Sequence, residues 1–172
     1  MDNKVIIPLV LEHSEAIHMA KNFDANLCRL KIGSQLFTSS GPQIIKELNS
    51  LGFDVFLDLK FHDIPNTVYE AVKSAADLGI WMINVHASGG RAMLEASKKA
   101  LEGFDQPPLL IAVTVLTSLS EDSLNEVGIK DLSGQVLRLA ELTKECDLNG
   151  VVCASTDVKA VSYTHLTLPT KA

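Results

Sequence analysis

Two carboxylates and an ammonium group are concentrated where one apolar segment of the chain ends. The segment begins at Phe53 and runs into Asp58-Leu-Lys60-Phe-His-Asp63-Ile-Pro-Asn-Thr67. Alternate side chains of a strand share a face, so Asp58 and Lys60 are expected to point the same way from neighbouring rungs. A carboxylate beside an ammonium group can hold and transfer a proton. We therefore expect chemistry at the end of this strand, before a helix whose first turn contains Pro65.

The composition indicates one domain with a substantial apolar core. The chain has 172 residues, 47% of them hydrophobic, and a formal net charge of −6. This negative charge argues against nucleic acid or an anionic membrane surface as a partner. The apolar run at 5–11 is too short to span a bilayer. A small soluble ligand fits this composition better.

The cysteines and histidines do not form a pattern that predicts a disulfide or a metal site. Cys28, Cys146 and Cys153 are odd in number and lack C-x-x-C spacing, so reduced core thiols in a cytoplasmic protein are predicted. His62 and His86 could be metal ligands together with a carboxylate. Histidines near strand ends more often satisfy backbone groups, and no metal is predicted.

Short apolar runs alternate with amphipathic stretches, which is typical of β-α units on a parallel sheet. No G-x-G-x-x-G follows the first strand, so an α/β fold of the (β/α)₈ TIM barrel type, with about six of its eight units visible, is preferred over a doubly wound sheet. Strands are predicted at 4–11, 28–32, 53–60, 81–86, 109–116 and 149–154, and helices at 14–23, 42–51, 66–78, 90–102 and 133–146.

A barrel of this kind gathers the C-terminal ends of its strands at one mouth, where active sites lie. Five polar residues fall at or just beyond predicted strand ends, so we expect separate strands to bring them together. They are Lys31, Asp58, Lys60, His86 and Thr117.

Four stretches of the sequence carry the motifs of one enzyme family. They are Cys28-Arg-Leu-Lys31-Ile-Gly, Phe56-Leu-Asp58-Leu-Lys60-Phe-His-Asp63-Ile-Pro-Asn-Thr67, Trp81-Met-Ile-Asn-Val-His86-Ala-Ser-Gly-Gly and Leu110-Ile-Ala-Val-Thr-Val-Leu-Thr117-Ser. Together they resemble bacterial orotidine 5′-phosphate decarboxylases over roughly residues 12–160. The resemblance implies a homodimeric barrel that needs no cofactor. It would convert orotidine 5′-monophosphate (OMP) to uridine 5′-monophosphate (UMP) and carbon dioxide, the last step of de novo UMP biosynthesis.

The resemblance also implies roles for individual residues. Lys60 is expected to donate the proton, and Lys31, Asp58 and Asp63 complete the catalytic group. Lys31 and Asp58 are also expected to contact the ribose, and Thr117 the edge of the pyrimidine. The substrate-binding loop is expected to contain Asp63, Ile64, Pro65, Asn66 and Thr67, of which Asp63 and Thr67 serve the site of the partner subunit.

The residue types fit this chemistry but leave alternatives open. Loss of carbon dioxide from C6 of the pyrimidine leaves a carbanion without a carbonyl group to delocalise it, and Lys60 can stabilise and protonate that carbon. Asp58 could repel the substrate carboxylate, by about 4 kcal/mol at ~4 Å and a dielectric constant near 20, or could hold Lys60 protonated and aimed. The alternatives are a metal-dependent 3-keto-sugar-phosphate decarboxylase, a Schiff-base aldolase that uses Lys60, and a structural ion network.

Two departures from the family bear on activity. Val10 stands where the family has a ribose-binding aspartate, and valine cannot accept a hydrogen bond from a hydroxyl group. After Ala160 the β-α pattern ends. We therefore expect a partial barrel domain at 1–160 and a non-native tail, resembling a read-through adaptor, at 161–172. Two strands and the phosphate-binding residues would then be missing, and the chain as written is expected to be inactive or a non-catalytic fragment.

Overall fold

A parallel sheet of six strands forms the centre of the molecule. The computed structural model describes residues 4–119 and 121–162. The strands pair in chain order, and every neighbouring pair is parallel. This order confirms the predicted barrel architecture, with six of its strands in the described residues. The strands are β1 (Val5–Leu9), β2 (Cys28–Gly33), β3 (Val55–Phe61), β4 (Met82–His86), β5 (Leu109–Val113) and β6 (Gly150–Val152).

Helices alternate with the strands. Five of them lie where the sequence predicts helices, whereas α2, α6 and α8 are short and were not predicted. No helix in the described part of the chain has the length and apolar composition needed to cross a bilayer. The helices are α1 (His13–Ala20), α2 (Ser34–Ser40), α3 (Gln43–Ser50), α4 (Pro65–Ala76), α5 (Arg91–Lys99), α6 (Glu121–Glu126), α7 (Leu132–Glu145) and α8 (Val158–Ser162).

The two faces of the sheet bury different apolar layers. Leu57 and Ile83 belong to the large core between the sheet and the helices, together with side chains such as Ile44 of α3. Their chain neighbours Phe56 and Met82 point to the opposite face and form a smaller cluster there. Adjacent strand residues face opposite sides of a sheet, which explains this division. The smaller cluster lies on the face that the charged residues of β3 occupy nearer the C-terminal end.

Several element boundaries differ from the predictions. β1 ends at Leu9, so Val10 lies just beyond it and is 69% exposed. β6 covers only Gly150–Val152 of the predicted strand 149–154, and Asp147 adopts the left-handed conformation after α7, with φ of 56°. α8 continues to Ser162, two residues into the predicted tail. The rest of that tail, 163–172, lies outside the described residues.

Candidate active site

Asp58 is the centre of a charged cluster at the C-terminal ends of β2, β3 and β4. Its Oδ2 accepts a hydrogen bond from Lys31 Nζ at 2.7 Å. Its Oδ1 accepts one from Lys60 Nζ at 2.7 Å and one from Asn84 Nδ2 at 2.6 Å. The Asp58 side chain is 7% exposed, whereas those of Lys31 and Lys60 are 32% and 36% exposed. These four residues, the Asp58 cluster, place a buried anion between two cations that reach solvent.

The hydrogen-bond donors keep Asp58 ionised despite its burial. Burial on its own raises the pKa of a carboxyl group, because it disfavours the charged form. Hydrogen bonds from Lys31, Lys60 and Asn84 act in the opposite direction and prevail, so the pKa of Asp58 lies below its ordinary value of 3.8. The carboxylate therefore carries its negative charge at neutral pH and binds the two ammonium groups as an ion.

Lys60 reaches this carboxylate from a bulge and not from a regular rung. Leu57 pairs with Ile83, but Phe61 pairs with Val85, so β3 advances four residues while β4 advances two. The φ angle of Lys60 is 51°, in the left-handed region that residues with a Cβ atom seldom occupy. The predicted meeting of the ammonium group with Asp58 is confirmed. The regular alternation predicted up to Lys60 is interrupted.

Asn84 is a residue of the cluster that the sequence analysis did not single out. It lies within β4 and is 1% exposed. Its Oδ1 accepts the backbone N–H of Lys60 at 2.8 Å, while its Nδ2 donates to Asp58. The sequence did contain a signal for Asn84, namely an amide side chain inside an otherwise apolar strand. A buried amide needs hydrogen-bond partners, so such a residue indicates nearby polar groups.

Two histidines lie beside the cluster. His86 is the last residue of β4, and its ring centre is 5.3 Å from that of His62. Burial lowers the pKa of His86, and the neighbouring His62 and Lys60 lower it further, against a smaller opposite effect of Asp58. The His86 imidazole is therefore mostly neutral at pH 7. Among the described residues, no group of three or more His, Cys, Asp or Glu side chains could hold a metal ion.

The other predicted site residues lie on the exposed rim of the same end of the sheet. Asp63 follows β3, and its carboxylate accepts the backbone N–H of Ile64 at 2.6 Å. Ile64 is 67% exposed, and residues 65–67 are exposed in the first turn of α4, which begins at the predicted proline. Thr117 is also exposed, beyond the end of β5. The structure thus gathers the predicted strand-end charges and leaves this rim open to solvent.

An open cavity lies elsewhere, between α7 and α8. It has a volume of about 950 Å³ and is lined by residues of α7 together with Thr156, Lys159 and Ala160. None of the predicted site residues lines it. We take the Asp58 cluster as the candidate site, because it combines a buried charge, solvent-accessible cations and a strand-end position.

Comparison with known proteins finds relatives along most of the chain. The model of the orotidine 5′-phosphate decarboxylase / HUMPS family matches residues 3–170, which extends beyond Ala160 into the predicted tail. The chain is 54% identical over 159 residues to orotidine 5′-phosphate decarboxylase of Saccharophagus degradans, covering 91% of this chain and 67% of that protein. The match to the enzyme of Chromobacterium violaceum is 57% identical over 141 residues, covering 81% of this chain and 57% of that protein.

The similarity extends to the backbone. The crystal structure of orotidine 5′-phosphate decarboxylase from Lactobacillus acidophilus superposes with a TM-score of 0.86 at 38% identity. The match covers 94% of this chain and 76% of that chain. The arrangement of strands described above is therefore shared with a solved member of this group.

Proposed function

Since the chain belongs to the orotidine 5′-phosphate decarboxylase / HUMPS family, we propose that it acts in the decarboxylation of OMP to UMP and carbon dioxide. The relatives from Saccharophagus degradans and Chromobacterium violaceum carry the name of this activity. The observation that carries the proposal is Asp58, held 2.7 Å from each of the two ammonium groups of Lys31 and Lys60. It lies at the end of the strands where barrels of this type hold their active sites.

Lys60 is the proton donor of the proposed reaction. The bond between C6 and the substrate carboxylate breaks, its electron pair stays on C6, and carbon dioxide leaves. A proton then moves from Lys60 Nζ to C6, so the lysine becomes a neutral amine and the product has a C6–H bond. A nearby ammonium group stabilises the developing charge before it gives up the proton.

Asp58 serves mainly to hold this donor in place. Its two oxygens accept three hydrogen bonds, two of them from ammonium groups. Such a neutralised carboxylate repels a substrate carboxylate less than an isolated one would. The geometry therefore supports the holding role more than the repulsive one, two roles that the sequence left open.

Substrate binding is proposed to involve the residues around the cluster. Lys31 contacts the ribose together with Asp58, and Thr117 contacts the edge of the pyrimidine. Val10 presents an exposed apolar side chain beyond β1. Weaker ribose binding is expected there than with the aspartate of the family, because one hydrogen-bond acceptor is lost.

The test is the ultraviolet-monitored conversion of OMP. Because the chain spans 67% of the Saccharophagus degradans protein, we would assay it as written and also joined to the unmatched remainder of that relative. Turnover in the longer protein, and its loss in Lys60→Ala, are expected. Lys73→Ala, on the exposed face of α4, is the matched control. Full turnover of Lys60→Ala would refute the donor role, and no turnover in either chain would refute the proposed function.

We further propose that the active form is a homodimer in which the rim segment, Asp63–Thr67, serves the partner's site. Its exposure, with Ile64 at 67%, supports an interface there. Mixing the inactive variants Lys60→Ala and Asp63→Ala should restore about one quarter of the parent turnover, because half of the dimers are mixed and each has one intact site. No recovery in mixtures shown to exchange subunits would exclude shared sites.

A reducing compartment such as the cytoplasm is the proposed location. Cys28, Cys146 and Cys153 are free thiols in the structure, which supports this location. The pKa of each of the three thiols is raised, and burial is the largest cause at every one of them. Protonated thiols react slowly with oxidants, which suits structural cysteines.

A further inference from the structure

We propose that Asn84 is a positioning residue that holds both the backbone and the ammonium group of Lys60 in their working arrangement. The contacts that define this role are properties of the folded chain. Only their consequence for turnover rests on the proposed function. Asn84 itself is buried behind Asp58 and Lys60, so it acts through them and not on a substrate.

The two polar atoms of the Asn84 side chain close a ring of hydrogen bonds. Its Oδ1 accepts the backbone N–H of Lys60 at 2.8 Å, and its Nδ2 donates to Asp58 Oδ1 at 2.6 Å. The same Asp58 oxygen accepts Lys60 Nζ at 2.7 Å. Both ends of Lys60 are thereby tied to one side chain of the neighbouring strand, either directly or through Asp58.

The bulge in β3 explains why such a tie is needed. Between Leu57 and Phe61 the regular pairing with β4 is interrupted, and Lys60 adopts a φ angle of 51°. A residue with a Cβ atom persists in this conformation only where its surroundings enforce it. The Asn84 amide oxygen takes the place of the backbone acceptor that a regular ladder would provide, and so stabilises the bulge.

Loss of this side chain should release Lys60 without removing any group that touches the substrate. In Asn84→Ala the Lys60 N–H loses its acceptor and Asp58 loses one donor. The bulge can then relax, and the ammonium group is no longer aimed from one position. Small errors in the placement of a reacting group lower kcat more than KM.

The first experiment measures this release without relying on turnover. Lysines are labelled with trace acetic anhydride, and the ratio of Lys60 to Lys73 modification is read by mass spectrometry. Lys73 is the internal reference because it is exposed on α4. We expect a ratio below one in the parent and a rise of about threefold or more in Asn84→Ala, from the loss of one to two hydrogen bonds. A ratio that stays at the parent value would overturn the proposal.

Asn149→Ala is the matched control, because Asn149 Oδ1 also accepts a strand N–H, that of Leu110 at 2.8 Å. It lies near the opposite end of the sheet, so the Lys60 ratio should not change. An equal rise in both variants would show general loosening and contradict a positioning role. If Asn84→Ala does not fold, hydrogen exchange of the Lys60 backbone amide in the unaltered chain decides. Protection is expected, and exchange at the rate of an unstructured peptide would reject the proposal.

The second experiment uses turnover in the longer protein. Asn84→Ala should lower kcat by about tenfold or more with a smaller change in KM. In Asn149→Ala, kcat and KM should both stay at their parent values. Asn84→Asp retains the acceptor for Lys60 but places a second carboxylate beside Asp58. Two adjacent carboxylates share a proton, so the acid limb of its pH profile should move to higher pH. If the parent protein shows no turnover, the proposed function is refuted but the role of Asn84 is not, because the labelling ratio tests that role independently.

Discussion

Each end of the sheet has an ion pair with one buried partner, and the buried partner carries opposite charge at the two ends. At the mouth, the C-terminal end, the buried group is Asp58, whose side chain is 7% exposed. At the base, the N-terminal end, the buried group is Arg29, with its side chain 10% exposed and its partner Asp54 42% exposed. The Arg29 guanidinium carbon lies 4.1 Å from the centre of the Trp81 ring.

From this difference we expect the pair at the base to have a structural role and the pair at the mouth a chemical one. A guanidinium group can stack on an aromatic face and still direct its N–H groups at a carboxylate, so Arg29 is well accommodated where it is buried. At the mouth the cations stay partly exposed, where they can meet a ligand, and the buried carboxylate binds both of them. The backbone of Lys60 is also left-handed, as is common at functional sites.

The largest expected effect is that of Asp58→Ala compared with Asp54→Ala. Removing Asp58 leaves two ammonium groups without their shared counter-ion, and turnover should fall by about three powers of ten. The free energy of unfolding should fall by about 2 kcal/mol, less than for a fully buried pair because both lysines reach solvent. Asp54→Ala takes a carboxylate away from the buried Arg29 side chain, so it should lower the free energy of unfolding by a comparable amount, about 2 kcal/mol, while turnover stays at the parent value.

Urea denaturation and the OMP assay measure these two quantities on the same preparations. An equal loss of turnover at Asp58 and Asp54 would remove the distinction between mouth and base. Loss of turnover in Asp54→Ala alone would reverse it.

An intermediate effect is expected for Arg29→Lys at the base. Lysine keeps the charge but loses the planar stacking on Trp81 and the Nε hydrogen bond to Asp54, which is 3.1 Å long. We expect thermal or urea unfolding to show a loss of about 1 kcal/mol, while kcat stays at the parent value. Lys73→Arg is the control for a conservative exchange at an exposed site. A selective fall in kcat would place the base in the catalytic machinery.

The smallest effect concerns pH and His86 at the mouth. Its pKa in the folded protein is lowered from the ordinary 6.5, first by burial. As the pH falls through 6.5 the unfolded chain takes up a proton that the folded chain does not, so stability decreases toward acid pH. The difference should be under about 1 kcal/mol, because the ring is only half-buried.

In His86→Gln, this part of the decrease should vanish when unfolding is measured between pH 7.5 and about pH 5. A parent slope that persists in His86→Gln would assign the titration to another group.

The order of strands and helices was predictable because it is carried by local patterns. Apolar runs of strand length alternate with amphipathic stretches, and Pro65 lies in the first turn of α4, as predicted. Short elements were missed. α2 and α6 have seven and six residues, too few for a helical period to be recognised in the sequence. After α7 the left-handed conformation is adopted by Asp147 and not by a glycine, since a polar residue can also adopt it.

The sequence by itself determined which charges stand at the strand ends and that Lys31, Asp58 and Lys60 would meet. Those placements follow from strand period and parallel order, which neighbouring residues encode. Only the tertiary structure decided how Lys60 reaches Asp58. Its left-handed backbone is maintained by a hydrogen bond to Asn84, 24 residues away in the chain. No local propensity favours that conformation for lysine, so it exists only once β3 and β4 are paired.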